Sequence, residues 1–455
     1  MLRRLTPLAI ITMVSIWTAS SMADEPLGRF LQERVAVDSQ GATLPTTWSA
    51  TENVLWKTDL PGLGWSSPIV ADNRIFLTTC VSTGATQEPR KGLYIEDLDA
   101  NKYPPDTTPH QWKVYCLDLK SGKVLWERTA HEGIPAKPHH LKNTLASETA
   151  ATDGQRVYAM FGNVGLYCYD MQGELLWSHP LKPRNTRYAW GTSQSPIVEG
   201  DRVYLINDNE EESYMLALDK LTGETIWRID RQEQTNYSTP YIWRNGLREE
   251  IVISGIGWVQ SYDMNGKPLW KIKGKSILAI PTPFAHGDLL YVTSGHVLWG
   301  ENPFYAIRPG ASGDISPAEG ETSNEFIAWS LEKAGPYHPT PLIVDGQVYV
   351  LLDRGFLTAY DCLTGEEVFG KQRIPKGRAF TSSPWSYDGK LFCINEDGVT
   401  FVIKTGAEFE ILGTNSLAED DMCMATPVFV GNKLLIRTSQ RLYCMQEGAS
   451  LATKP

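Results

Sequence analysis

Residues 195–227 read SPIVEGDRVYLINDNEEESYMLALDKLTGETIW, and the rest of the chain repeats this phrase. Pro196 opens a short apolar run, Gly200-Asp201 turns the chain, and a second apolar run begins seven residues after the proline. Leu218-Asp219 then leads through Thr222-Gly223 to Trp227. Apolar runs bounded by such turns spell two hairpins, joined by a loop. Pro68, Pro240, Pro283, Pro341, Pro384 and Pro427 open the same phrase, and Ala150 takes the proline place once. That makes eight copies, the undisturbed ones 43 or 44 residues apart. Four strands in such a repeat is one propeller blade, so the chain is predicted to be an all-β, eight-bladed propeller of four-stranded antiparallel blades.

The second turn of each copy has a chemical reason. Its Asp and Ser/Thr accept hydrogen bonds from turn backbone, and its Gly supplies a positive φ. The aromatic that follows is Trp56, Trp126, Trp177, Trp227, Trp270 or Trp329. It is expected to end the outermost strand and cover the seam against a neighbouring blade. The eighth copy, Met424 to Met445, supplies three strands only, while Asn53 to Lys57 is an outer strand with its Trp and no strands before it. Completing the last blade with the N-terminal strand would close the circle and remove exposed edges. The propeller is therefore expected over 53–446, with 24–52 as a lead-in and 447–455 as a tail.

Residues 1–23 read as a secretory signal: Arg3 and Arg4, an apolar run from Leu8 to Trp17, and Ser21-Met22-Ala23 before the cut. Nothing later approaches the length of a spanning helix, so a soluble protein of the periplasm or cell envelope is expected. The 455 residues carry 42 Lys+Arg against 53 Asp+Glu, a balance of −11 that speaks against nucleic acid as a partner. A monomer is expected. The seven cysteines include no CxxC and no adjacent pair. Cys116, Cys168 and Cys444 each follow a Tyr, as a small buried residue at one repeated position would, so most are expected to be buried free thiols.

The phrases YCLDLKSGKVLW, LALDKLTGETIW and LTAYDCLTGEEVF, on an eightfold repeat, resemble the PQQ-like (quinoprotein) β-propeller repeat family over roughly residues 53–446. The opening LPTTWSATENVLWKTDLPGLGWSSPIV also resembles exported PQQ-like propellers of planctomycete-type bacteria. The family divides between quinone-cofactor dehydrogenases and non-enzymatic propellers of the BamB type. The dehydrogenase branch implies a disulfide between adjacent cysteines over the quinone, and a calcium held by Glu, Asn and Asp. The best calcium-like string here, Asp97-x-Asp99-x-Asn101, has Lys102 and Thr108 where a Ca²⁺ loop wants Gly and Glu. The resemblance thus implies a non-catalytic binding or scaffold protein, with a part in outer-membrane protein assembly by analogy. Its partners would be envelope proteins, a glycan or a small ligand, and no cofactor is expected. The alternative is a PQQ-dependent alcohol or sugar dehydrogenase using PQQ with calcium.

Two features point to a working face. The residue before each blade-opening position is Ser67, Thr149, Ser195, Thr239, Thr282, Thr340, Ser383 or Thr426, a hydroxyl in every blade. These either satisfy backbone groups at the strand start or form a polar funnel. Two before the opening position, only Glu148 is acidic, so a glycosidase's facing carboxylates are not expected. The loops after Trp126 and Trp177 are long, and blade 1 has an extra stretch from Cys80 to Trp112. Together they should raise a wall over blades 1–3 bearing His139, His140, Lys142, Arg184, Arg187 and Trp190. These loops are either solvated or a partner-binding surface, with Trp190 either its anchor or a ring packed over the channel mouth, whereas His139-His140 lacks the neighbours of a metal pair. The Gly/Ser/Glu-rich stretch from Pro309 to Glu325 is expected on the opposite face, as a mobile insert.

Overall fold

Each copy of the phrase folds into one antiparallel sheet whose strands follow chain order from the channel outward. Blade 3 is typical: Ile197–Glu199, Arg202–Asn207, Ser213–Asp219 and Thr225–Arg231. There are eight such sheets. The computed structural model describes Leu31 and residues 43–84, 88–93, 98–298 and 300–451. The expected signal at 1–23, most of the lead-in and Asp97 lie outside the described residues.

The last blade is a composite, as expected. Glu52–Asp59 pairs with Arg441–Ser450 as the outermost strand, outside Lys433–Arg437 and Val428–Val430. The final strand runs past 446 to Ser450, which faces Glu52 across the ladder. Arg437 locks this seam from within. Its guanidinium, wholly buried, donates to the Ser66 carbonyl at 2.8 Å and the Thr78 carbonyl at 2.7 Å of blade 1. Burial pushes it down to about 9. The lead-in is also less idle than its sequence implies. Leu44 and Trp48 are buried, Trp48 N–H donates to Asn415 Oδ1 at 3.1 Å, and Asn415 Nδ2 donates back to the Thr46 carbonyl at 3.0 Å.

The outer seams follow one rule. Trp56, Trp126, Trp177 and Trp329 donate their indole N–H to the carbonyls of Leu119, Met171, Lys220 and Cys362, at 3.0–3.1 Å. Each acceptor follows the turn Asp of the next blade. The turn glycine of that blade is the seat of the ring: a Cβ on Gly122, Gly173, Gly223 or Gly365 would lie 2.4–2.7 Å from the tryptophan. Glycine is thus required there twice, by positive φ and by the ring. The tryptophan does not end its strand, however. Trp126, Trp177, Trp227, Trp270 and Trp329 are each the third residue, because the turn must lie next to its own blade's aromatic. The residue across the ladder is small: Cys116, Cys168, Ala217, Ser261, Ala306 and, facing Trp56, Cys444. All seven cysteines are buried and unpaired, and burial pushes the Cys116, Cys168 and Cys444 thiols up to about 12.

Blade 4 departs from the rule. Trp270 donates to the buried carboxylate of Glu250 at 2.6 Å, and Gly313–Asp314 adds a fifth, parallel strand beside it. The Pro309–Glu325 insert is therefore anchored on the outer edge of blade 4, with Ala311 and Ile315 in its core, and is not a loose loop. Trp227 keeps a buried indole N–H without a partner, so its seam rests on packing.

Gly223 and Gly200 both have positive φ, but nothing lies within 4 Å of a Cβ on Gly200. Gly200→Ala should cost about 1–2 kcal/mol for the backbone alone, and Gly223→Ala a further ~1–3 kcal/mol for displacing Trp177. Urea denaturation reads the difference; equal losses would mean that the ring is not seated on the glycine. Removing residues through 57 should open blade 8 and sharply lower the melting temperature, whereas removing residues through 42 should not. Equal melting of the two truncations would place ring closure elsewhere.

Candidate functional site

Strand alternation decides what faces the channel. The hydroxyl positions, one before each blade opening, point inward with the residues three before it: Trp65, Ser147, Ser193, Tyr237, Ile280, His338, Thr381 and Met424. All eight of the latter, and seven of the hydroxyls, line one cavity of about 250 Å³ at the channel mouth. Residues two before the opening have the other parity and enter the seams. Glu148, examined above as an axial acid, is buried there, accepting the Gly162 N–H at 3.0 Å, and burial raises its carboxyl above the usual range.

The hydroxyls are linked from blade to blade. Ser67 N–H donates to Thr149 Oγ1 at 2.9 Å, Thr149 N–H to Ser195 Oγ at 3.0 Å, and Ser195 N–H to Thr239 Oγ1 at 3.3 Å. The series resumes from Thr282 to Thr340, Ser383 and Thr426 at 2.9–3.1 Å, and Thr426 N–H returns to Ser67 Oγ at 3.1 Å. Both sequence readings of these residues therefore meet: seven of the eight accept a backbone N–H of the neighbouring blade, and seven line the cavity. Among the described residues the ring lacks one step, Thr239 to Thr282.

Long loops roof the mouth, and charge pairs hold them. Glu396 of blade 7 has a fully buried side chain that accepts from Lys142 Nζ and Thr381 Oγ1 at 2.5 Å and from Gly92 N–H at 2.7 Å. Lys142 Nζ also donates to the Gly92 carbonyl at 2.6 Å, so the blade 1 insertion, the loop after blade 1 and blade 7 meet at one carboxylate. Burial pulls the Lys142 ammonium below its ordinary value, against the opposing pull of Glu396. On the far side, His338 Nδ1 lies 2.5 Å from Asp353 Oδ1, which also takes the His338 N–H, while Asp353 Oδ2 takes the Tyr337 N–H. Burial, then His338, push nearby His296 down to about 4.

The expected wall residues divide by position. His140, Lys142 and Trp190 line the cavity. Trp190 follows a short 3₁₀ turn in which Tyr188 and Ala189 both have positive φ, a strained backbone held by Gly191 N–H to Thr186 Oγ1 at 2.9 Å. His139 turns away from His140 to pair with Asp106 at 3.4 Å, so the two imidazoles do not act together. Arg184 is buried in ion pairs with Glu211 and Glu212. Arg187 reaches across to the Ile277 carbonyl at 2.9 Å and ties the loop before blade 3 to the one before blade 5. The cations of this wall thus bind the protein's own loops.

A family model described as outer membrane protein assembly factor BamB matches residues 111–244 and 255–451. The chain belongs to this family. The BamB protein of Yersinia pestis is 21% identical over 281 residues, covering 58% of this chain and 68% of that one. BamB of Salmonella typhimurium is 22% identical over 179 residues, covering 39% and 42%. The crystal structure of BamB from Moraxella catarrhalis aligns with a TM-score of 0.57 and 13% identity, over 86% of this chain and 99% of that one. A quinohemoprotein alcohol dehydrogenase from Pseudomonas putida gives 0.53 and 12%, over 88% and 77%. At these identities the solved structures show a shared propeller fold, which does not fix function.

For this BamB-family chain, sequence reading missed Trp65, Tyr237, His338 and Thr381 because it stepped back two residues from each blade opening where the strand required three. Glu396 carried no local signal, since its partner Lys142 is 254 residues away. Removing Glu396 (Glu396→Ala) should cost about 3–5 kcal/mol, because it breaks a buried ion pair by taking away one partner. Adding Lys142→Met should recover much of that loss. A double-mutant cycle in urea checks this; strictly additive losses would mean the pair does not hold the roof.

Proposed function

We propose that the protein is a non-catalytic binding scaffold of the cell envelope, acting in outer-membrane protein assembly as the name of its BamB relatives states of them. The observation that carries the reading is the mouth itself: loops from several blades are tied down over a preformed cavity whose lining, among the described residues, contains no Asp or Glu. A pair of carboxylates for acid–base work on a bound substrate is missing among the described lining residues: Glu396 is engaged by Lys142, and the imidazoles that remain are those of His140 and His338.

The donor set also does not suit the quinone of the dehydrogenase branch. That cofactor bears three carboxylates, and the one lysine of the lining is already paired with Glu396. No cysteine lines the cavity to form a disulfide above a ring, and among the described residues no three His, Cys, Asp or Glu side chains come together as a metal set. The mature protein should therefore show no saturable PQQ binding and no Ca²⁺-dependent dye reduction with alcohols or sugars. Expressed from its full sequence, it should fractionate with the envelope and co-purify with β-barrel assembly proteins, identified by mass spectrometry. Quinone-dependent turnover, or recovery from the envelope without any assembly component, would overturn the reading.

A further inference from the structure

Two hydroxyls on one side of the cavity are not accounted for by the fold. The Tyr237 hydroxyl is buried and has no hydrogen-bond partner, although an unmade bond at a buried phenol is costly. Thr282 occupies the one place where the hydroxyl ring is interrupted, so its Oγ1 lacks the backbone donor that its counterparts accept. The two are neighbours in the wall: Tyr237 N–H donates to the Ala279 carbonyl at 2.8 Å, three residues before Thr282. Both residues line the cavity, as do Tyr337 and Trp190.

The geometry points to a binding site for a neutral saccharide ring in the mouth cavity; this rests on the binding reading above and names its ligand class. Three features of the lining select that chemistry. First, its charges are already paired, Lys142 with Glu396 and His338 with Asp353, so a buried anionic or cationic ligand would arrive without a counter-charge. Second, the ring hydroxyls use their lone pairs on backbone N–H groups and keep O–H protons to offer, which suits a ligand dense in oxygen acceptors. Third, Trp65, Trp190, Tyr237 and Tyr337 give aromatic faces, whose negative π-clouds attract the C–H face of a pyranose. At about 250 Å³ the cavity is near the lower end of ligand pockets, with room for one or two sugar rings.

The test is calorimetric titration of the full mature protein with glucose, N-acetylglucosamine and its β-1,4-linked trimer, with glucuronate and glucose 6-phosphate as charged controls. A neutral sugar should bind at least about tenfold more tightly than the charged controls, a gap of roughly 1.4 kcal/mol. Tighter binding of the trimer than of the monosaccharide would identify the ligand as the end unit of a glycan, and the reverse would identify a free sugar. Tyr237→Phe and, separately, Thr282→Val should each weaken that binding about tenfold. The melting temperature of Tyr237→Phe should stay unchanged or rise, because the substitution removes a buried group that has no partner. A marked fall in its melting temperature would show that the phenol supports the fold, and would overturn the assignment. So would tighter binding of a charged control, or no heat with any neutral sugar at about 10 mM, well above the millimolar range of weak specific sites. Loss of sugar binding with co-purification of assembly proteins intact would overturn this inference alone; quinone-dependent turnover would overturn the scaffold reading with it.

Discussion

Every blade seam in this circle has to hold, because a propeller with one open seam exposes the edges of the sheets on either side. The inner edge is fastened by a serine or threonine hydroxyl accepting the backbone N–H of the preceding blade, and the return bond from Thr426 to Ser67 joins last blade to first. At four of the seams the outer edge is fastened by an indole seated on the next blade's turn glycine, and at the others by packing. A single net hydrogen bond contributes only about 0.5–1.5 kcal/mol, so neither fastening suffices alone. Repetition around a closed ring makes them effective: displacing one blade disturbs bonds on both of its flanks. With such seams the ring needs no disulfides, and all seven cysteines are buried thiols.

A scaffold stabilised this way leaves its loops free to diverge, but long loops must still be fixed to be of use. Here they are fixed by charge. Lys142 and Arg187 cross blade boundaries to Glu396 and to the Ile277 carbonyl, and Arg184 closes on Glu211 and Glu212. Burial makes the Lys142 and Arg184 ties costly to break and neutralises those two cations, whereas Arg187 is held by a carbonyl. The cationic wall that the sequence suggests is therefore, in space, a set of internal fastenings around a lining of hydroxyls and aromatic rings.

What was legible in the sequence follows from how far apart the cooperating residues lie. Blades, closure by Trp56, the tryptophan positions and the hydroxyl ring all arise from patterns that recur within one repeat, so the phrase at 195–227 already contains them. Positions that depend on strand parity were readable in principle. Trp65, Tyr237 and His338 share one offset from the blade opening, but their side chains differ from blade to blade and produce no motif. The roof was not readable, because Lys142–Glu396 and Trp48–Asn415 join segments with no common pattern. The insert at Pro309–Glu325 misled for a related reason: its composition suits a loose loop, yet two residues, Gly313 and Asp314, reach the free edge of blade 4 and gain ladder bonds there.

Divergence within a family of this kind should then concentrate where side chains differ while the backbone does not. The layer one residue before each opening is chemically uniform, and at seven of its eight positions a departure from Ser or Thr removes a seam bond. The layer three residues before is unconstrained by the seam and holds Trp, Ser, Tyr, Ile, His, Thr and Met in one chain. It therefore can change its ligand without endangering the ring. Propellers of one fold, an assembly factor and an oxidoreductase among them, can differ in this layer and in the loops that roof it without altering the seams. In this chain the seam bonds belong to the uniform layer of hydroxyls, and the chemical variety to the layer two residues before it.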